Sequence, residues 1–156
     1  AYIYPEIMVT HGCLSTKFLY ELSLEYSTNK IIFAGDFNSI PNESCHKFIT
    51  TGEYDVNLFN KSFPPEDNWR PIHDIIFKSS HYTHHGNEPE YTNYTITSNK
   101  KIKDKVHKLC LDYIFYSGTD INVTQSTVII EGNPPFPSDN EPSDHIMLLS
   151  VFKIIC

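Results

Sequence analysis

A mixed α/β layered fold is the class this sequence predicts, because apolar runs of strand length alternate with a few stretches of helical spacing. Ile31-Ile32-Phe33-Ala34 is a short apolar run that ends in the polar turn Gly35-Asp36-Phe37-Asn38, the pattern of a buried strand leading into a loop. Strand character returns over Leu111–Tyr116, over Ser126–Ile130, and over Ile146–Ile155, a segment rich in Ile, Leu, Val and Phe. Between Thr10 and Tyr26, Leu14, Phe18 and Leu22 recur every four residues with Leu19 beside them, so a helix with one apolar side is expected there. A shorter helix is expected over Ser44–Thr51, capped by Asn42 or Ser44. Prolines, asparagines and charges dominate from Gly52 to Glu90, which predicts a long surface excursion with little regular structure. The segment Glu131–Pro142, with four prolines, reads as a loop.

The bulk composition bounds the function classes. With 156 residues, 40% hydrophobic and 20% charged, the chain has the make-up of a folded domain, or part of one. No apolar run approaches the roughly 18 residues a membrane span needs, and AYIYPEIMVTHG lacks the basic start and apolar core of a signal peptide. The expectation is a cytoplasmic protein without a membrane partner, with a nuclear or mitochondrial setting as the alternative should a targeting segment stand upstream of Ala1. Cys13, Cys45, Cys110 and Cys156 are scattered, with no C-x-x-C pair, and are expected to be free thiols in a reducing compartment. A formal charge of −7 argues against holding nucleic acid mainly on a basic surface. It fits a site where carboxylates hold a cation and the cation meets a phosphate.

The polar residues at the strand ends carry the chemistry. Asp36 and Asn38 follow one strand, Asp112 lies in another, and Asp144-His145 precede a third. Carboxylates with an amide oxygen suit Mg²⁺ or Mn²⁺ rather than zinc. An imidazole beside a carboxylate can hold a proton or donate to a phosphoryl oxygen. Metal-assisted hydrolysis of a phosphate ester uses all of these parts. Each also has a plainer role: Gly-Asp-x-Asn is good turn chemistry, and Ser143-Asp144-His145 can cap an element. Asp112 sits among Leu111, Tyr113, Ile114 and Phe115, where a carboxylate is costly unless paired or bound. His81, His84 and His85 look like a metal cluster but have no matched partner set. Tyr82, Tyr91 and Tyr94 can line a nucleotide groove or simply pack.

GDFNSIP (Gly35–Pro41), YTNYT (Tyr91–Thr95), LDYIFYS (Leu111–Ser117) and PSDHIMLL (Pro142–Leu149) occur in that order. Together they resemble the endonuclease/exonuclease/phosphatase superfamily, and within it the branch of deadenylases, nocturnin, angel proteins and 2′-phosphodiesterases. The resemblance implies a four-layer α–β–β–α sandwich of which residues 1–156 are the C-terminal half, the rest of one catalytic domain lying upstream. It implies Mg²⁺ or Mn²⁺ as cofactor and RNA with adenine-rich 3′ ends as substrate, within a possible larger mRNA-decay complex. Asp36 would orient or deprotonate the attacking water, Asn38 would help position that water and the phosphate, and both, with Asp144, would stand at the metal. His145 would contact the scissile phosphoryl group, and Asp112 would hydrogen-bond His145. Pro5, Asn93 and His107 would meet substrate. A Glu metal ligand, its partner Asn and a further catalytic histidine would lie before Ala1, leaving His11 on a helix surface and this piece, alone, inactive and prone to self-association.

Two departures concern the substrate. Sixteen residues, Ile96–Leu111, separate Thr95 from Asp112, where the family has a short link. They include Lys100, Lys101, Lys103, Lys105 and Lys108, either an insertion that touches the RNA backbone or a solvated loop. The position five before Asp112, where deadenylases stack a Phe on adenine, is His107 or is displaced by the longer link. A phosphatase acting on a dinucleotide or inositol phosphate, and a binding module without catalysis, are the competing readings.

Overall fold

The computed structural model describes residues 4–62, 75–99, 102–131 and 134–155. In chain order these form α1 (Pro5–Glu25), β1 (Ile31–Asp36), α2 (Ser44–Thr51), α3 (Val56–Ser62), β2 (Lys78–Ser79), α4 (Ser80–His85), β3 (Asn93–Asn99), β4 (Ile102–Leu109), β5 (Asp112–Ser117), β6 (Ile121–Ile129) and β7 (Met147–Ile154). The expected mixed α/β class is what forms.

The sheet that positions the chemistry has the order β1-β5-β2. Its β1–β5 pair is antiparallel, and the register runs from Ile31 opposite Ser117 to Asp36 opposite Asp112. Side chains alternate faces along β5. Tyr113 and Phe115 point into a core with Met8, Phe37, Cys45, Ile49, Phe77 and Cys110, against the helices. On the other face Tyr116 meets Phe152 of β7, ring centroids 5.4 Å apart. The β6–β7 ribbon covers the sheet opposite α1 and α2, with α4 packed against it, and Ser150 of β7 bonds both Ser80 of α4 and Ser126. Helices α1 and α2, the sheet and the ribbon form successive layers, and Asp36 and Asp112 lie at one end of the middle one.

Helix α1 departs from its sequence signature. It begins at Pro5, whose fixed φ and missing N–H suit a first helical position. Its inner face is lined by Met8, Val9, Gly12, Cys13 and Thr16. Leu14 and Phe18, the expected apolar side, are 43% and 58% exposed. The four-residue spacing tracks the outer surface because close packing of α1 on α2 calls for small residues: a Cβ on Gly12 would lie 3.0 Å from the Cys45 sulfur. Neither Asn42 nor Ser44 caps α2; the cap position is Glu43, without a side-chain capping bond.

The Gly52–Glu90 excursion carries more order than its composition predicts. Helix α3 buries Phe59 against Val9, Cys13 and Phe48, β2 joins the sheet, and α4 is capped by the Ser79 hydroxyl and ended by Gly86. Single aromatic anchors such as Phe59 and Phe77, each 1% exposed, hold it down. Each contributes about 1.5–3 kcal/mol by burial. Residues 63–74 of that excursion lie outside the described residues. The Ile96–Leu111 link is no loop: β3 and β4 form an antiparallel hairpin with Thr95 opposite His107 and Tyr94 opposite Lys108. Lys100 and Lys101 lie outside the described residues. Strand β6 starts at Ile121, five residues before the apolar signal, because pairing with β7 orders its polar half too.

Cys13, Cys45 and Cys110 are buried free thiols, as expected, while Cys156 lies outside the described residues. Burial pushes each of the three from the ordinary 9.0 up to about 12. Native protein at pH 8 should leave all three unlabelled by a thiol reagent, with labelling only on unfolding. The sign for stability follows: unfolded thiols ionise near pH 9 while folded ones resist to about 12, so stability present below pH 9 is lost across that window. A urea midpoint that stays flat there contradicts the burial.

Gly118, after β5, has φ of +117°, and a Cβ there would lie 2.8 Å from the Asn29 carbonyl oxygen. Gly118→Ala should cost about 2 kcal/mol, the usual order for a strained backbone position. Chemical denaturation measures it.

Candidate active site

Four chain segments converge at the end of the sheet. Asp36 closes β1, and the ladder continues one step as the Phe37 N–H donates to the Leu111 carbonyl at 2.9 Å. The chain then turns at Asn38, whose φ of +47° is a conformation asparagine tolerates. Asn38 donates its backbone N–H to Asp36 Oδ1 at 2.8 Å and its Nδ2 to Oδ2 at 2.9 Å. Turn and site are therefore one feature, because the turn clamps the Asp36 carboxylate. Tyr113, buried in the core, donates its hydroxyl to the Ser39 carbonyl at 2.8 Å, which ties that turn to β5.

Asp112 opens β5 directly across from Asp36. Its Oδ2 accepts the Thr92 hydroxyl at 2.7 Å and His145 Nδ1 at 2.8 Å. The same Thr92 oxygen accepts the backbone N–H groups of Leu111 and Asp112, each at 2.9 Å. Asn93, 5% exposed, donates Nδ2 to Asp144 Oδ2 at 3.1 Å. Two main-chain bonds, Tyr94 N–H to Asp144 O and Ile146 N–H to Thr92 O, pin the His145 segment to β3. With Nδ1 committed to Asp112, Nε2 is the His145 nitrogen left to meet a ligand.

Electrostatics follow from this packing. Burial raises the Asp112 carboxyl above its ordinary value, against the lowering effect of the Thr92 and His145 bonds. For His145 burial works against the charge, but the Asp112 hydrogen bond and the charges of Asp112, Asp36 and Asp144 outweigh it and raise its pKa. The ring therefore stays protonated over a wider pH range.

Two carboxylates facing each other in register repel unless a cation lies between them. Asp36, Asp112 and His145 place ligand atoms all within 4.8 Å of one another, the one such group of three among the described residues. Its oxygen-rich character fits a hard divalent ion. Asp144, with Oδ2 on Asn93, stands just outside this group and keeps its other carboxylate oxygen for a ligand. Asn38 has its amide nitrogen on Asp36, so its carbonyl oxygen is the atom free to coordinate.

The structure thus gathers Asp36, Asn38, Asp112, Asp144, His145 and Asn93. Pro5 sits exposed in the first turn of α1; Met8, almost one turn on, shares a core cluster with Phe37. His107 is half-buried on the hairpin, two positions beyond the Asn93–Leu109 pair. His11 is on the surface of α1. Thr92, which joins three hydrogen bonds at Asp112, is the residue sequence reasoning passed over, although it lies inside the YTNYT motif.

Comparison with known proteins decides the family. Residues 14–145 match the Endonuclease/Exonuclease/phosphatase family. The chain belongs to that family. Similar members include the probable CCR4-Not complex 3′-5′-exoribonuclease subunit Ccr4 of Vairimorpha ceranae, 30% identical over 97% of this chain and 29% of that protein. RNA exonuclease NGL1 of Saccharomyces cerevisiae is 31% identical over 81% of this chain and 32% of its own length. Human 2′,5′-phosphodiesterase 12 is 30% identical over 79% and 19%. The chain therefore spans a third or less of these family members. The human nocturnin catalytic domain, solved with a bound sulfate anion, shares the fold with a TM-score of 0.60 at 22% identity, over 97% of this chain and 43% of that one. The family assignment agrees with the deadenylase and nocturnin branch the four motifs pointed to.

Proposed function

We propose that this chain forms the C-terminal part of a single Mg²⁺- or Mn²⁺-dependent catalytic domain that hydrolyses phosphodiester bonds at RNA 3′ ends. The observation that carries the reading is the Asp36–Asp112–His145 cluster, within 4.8 Å, on a chain whose relatives are named as 3′-5′-exoribonuclease, RNA exonuclease and 2′,5′-phosphodiesterase. A further carboxylate ligand from sequence outside residues 1–156, a cytoplasmic setting and a place in a larger RNA-decay assembly belong to the same proposal.

Asp36, clamped by Asn38, orients the attacking water and takes its proton. His145, protonated and steered by Asp112, donates Nε2–H to a non-bridging oxygen of the scissile phosphate and stabilises charge as the leaving oxygen departs. Thr92 fixes Asp112, and Asn93 fixes Asp144. A divalent ion would be held by Asp36, with the Asn38 carbonyl oxygen and the Asp144 oxygen not bonded to Asn93 completing its ligands, and would supply Lewis acidity toward the phosphoryl oxygens.

The test uses the natural full-length protein and oligo(A) with a free 3′ end. AMP should be released with Mg²⁺, stop on chelation, and be lost in Asp36→Ala and His145→Ala. Turnover of inositol phosphates or dinucleotides in place of RNA overturns the RNA reading; unchanged AMP release by both variants overturns the site.

A further inference from the structure

The β3–β4 hairpin carries an aromatic and cationic surface rooted in the catalytic cluster. Its register aligns Tyr94 with Lys108 and Ile96 with Val106, which puts these four side chains on one face. Tyr91 joins them: its ring centroid lies 5.4 Å from that of Tyr94, nearly perpendicular. The Lys108 ammonium stands 4.5 Å above the Tyr91 ring and 5.8 Å from that of Tyr94. Ile96 and Val106 are 38% and 51% exposed. Between Tyr91 and Tyr94 in the chain are Thr92 and Asn93, bonded to Asp112 and Asp144, and the Tyr94 N–H holds the Asp144 carbonyl.

Lys108 gives this face its positive charge, in a chain with 12 Lys and Arg against 19 Asp and Glu, whereas Lys105, opposite Thr97, belongs to the other face of the hairpin. Stacking surfaces beside a cation are the means by which single-stranded nucleic acid is held without sequence reading.

We propose that the Tyr91–Tyr94–Lys108 face, continued by Ile96 and Val106, binds the single-stranded RNA that trails the scissile bond. The inference rests on the RNA reading of the site. A base stacks on the tyrosines, a phosphate takes Lys108, and the next nucleotide lies on the Ile96–Val106 surface. At present Lys108 pairs with Glu90, and the two side chains are 36% and 76% exposed. Such a surface pair contributes little to stability. Glu90 holds the place of a phosphate: when the strand arrives, Lys108 leaves it, and the tyrosine face is uncovered.

This predicts opposite effects from the two partners of one ion pair. With the natural full-length protein, KM and kcat are compared on an RNA of about 15 nucleotides and on a dinucleotide, with thermal midpoints measured for every variant. Lys108→Gln and Tyr94→Leu should raise KM for the long RNA by roughly tenfold with kcat within about twofold, as loss of one stack implies. The dinucleotide should be unaffected. Lys108→Gln should also lower the slope of log KM against log salt by about 0.7. Glu90→Gln should lower KM, an outcome a merely structural pair does not give. Should Tyr94→Leu fail to fold, Lys108→Gln and Glu90→Gln decide alone. Long-RNA KM unchanged in Lys108→Gln, or raised in Glu90→Gln, overturns the platform while active wild type keeps the RNA reading. Wild type without action on RNA overturns both.

Discussion

Asp112→Asn should lower RNA hydrolysis by about 10³–10⁴-fold with little loss of stability. The asparagine oxygen can still accept the Thr92 hydroxyl and His145 Nδ1–H that now share Asp112 Oδ2, so the geometry survives. What goes is the charge. Burial already raises the Asp112 carboxyl, so a neutral group there costs the fold little. His145, by contrast, loses the partner that keeps its pKa raised against its own burial. The sign is fixed by linkage: the raised pKa holds the ring protonated as pH rises past its ordinary 6.5, and without Asp112 the proton leaves at lower pH. An NMR titration of the ring should show that fall, and kcat on oligo(A) the loss of rate. A variant with near wild-type kcat would remove the Asp112–His145 pair from the mechanism.

How far the fold and site were legible depends on the kind of interaction at each place. Asp36, Asn38, Asp112 and His145 could be singled out because each flanks or interrupts an apolar run, but turn and cap chemistry accounts for Asp36, Asn38 and His145 as well, and only the four motifs in order tied them to one site. The β1–β5 register that sets Asp36 against Asp112 is a long-range pairing between segments more than 70 positions apart in the chain, and no local pattern encodes it. The α1 face was misread for a related reason. Amphipathic spacing reports large apolar residues, whereas α1 approaches α2 at Gly12, which faces Cys45 and Ile49, and at Cys13, which clusters with Phe48. The hairpin over Asn93–Leu109 was hidden because its lysines and threonines look like a solvated loop, and only the cross-strand register shows Tyr94 beside Lys108. Order in the Gly52–Glu90 region likewise rests on isolated anchors, Phe59 and Phe77, which a period-seeking analysis discards.

Thr92 is the place where that difference can be measured. Its side chain is fully buried, and its one hydroxyl serves three partners: it donates to Asp112 Oδ2 and accepts from the Leu111 and Asp112 N–H groups. Thr92→Val keeps the shape and removes every one of these bonds. Two backbone N–H groups then lose an acceptor, at about 1–3 kcal/mol each when buried, so a destabilisation of roughly 2–6 kcal/mol is expected. Asp112, held on one side only, no longer fixes the His145 ring, and kcat should fall about 10-fold or more with KM little changed, since a misaligned group near the chemistry costs rate. Thr92→Ser restores the hydroxyl without the methyl and should recover most of kcat while recovering only part of the stability. That split separates the two jobs: a residue that merely packed would lose more stability in Thr92→Ser, which drops the methyl, than in the shape-keeping Thr92→Val, and neither variant would move kcat once the protein was folded.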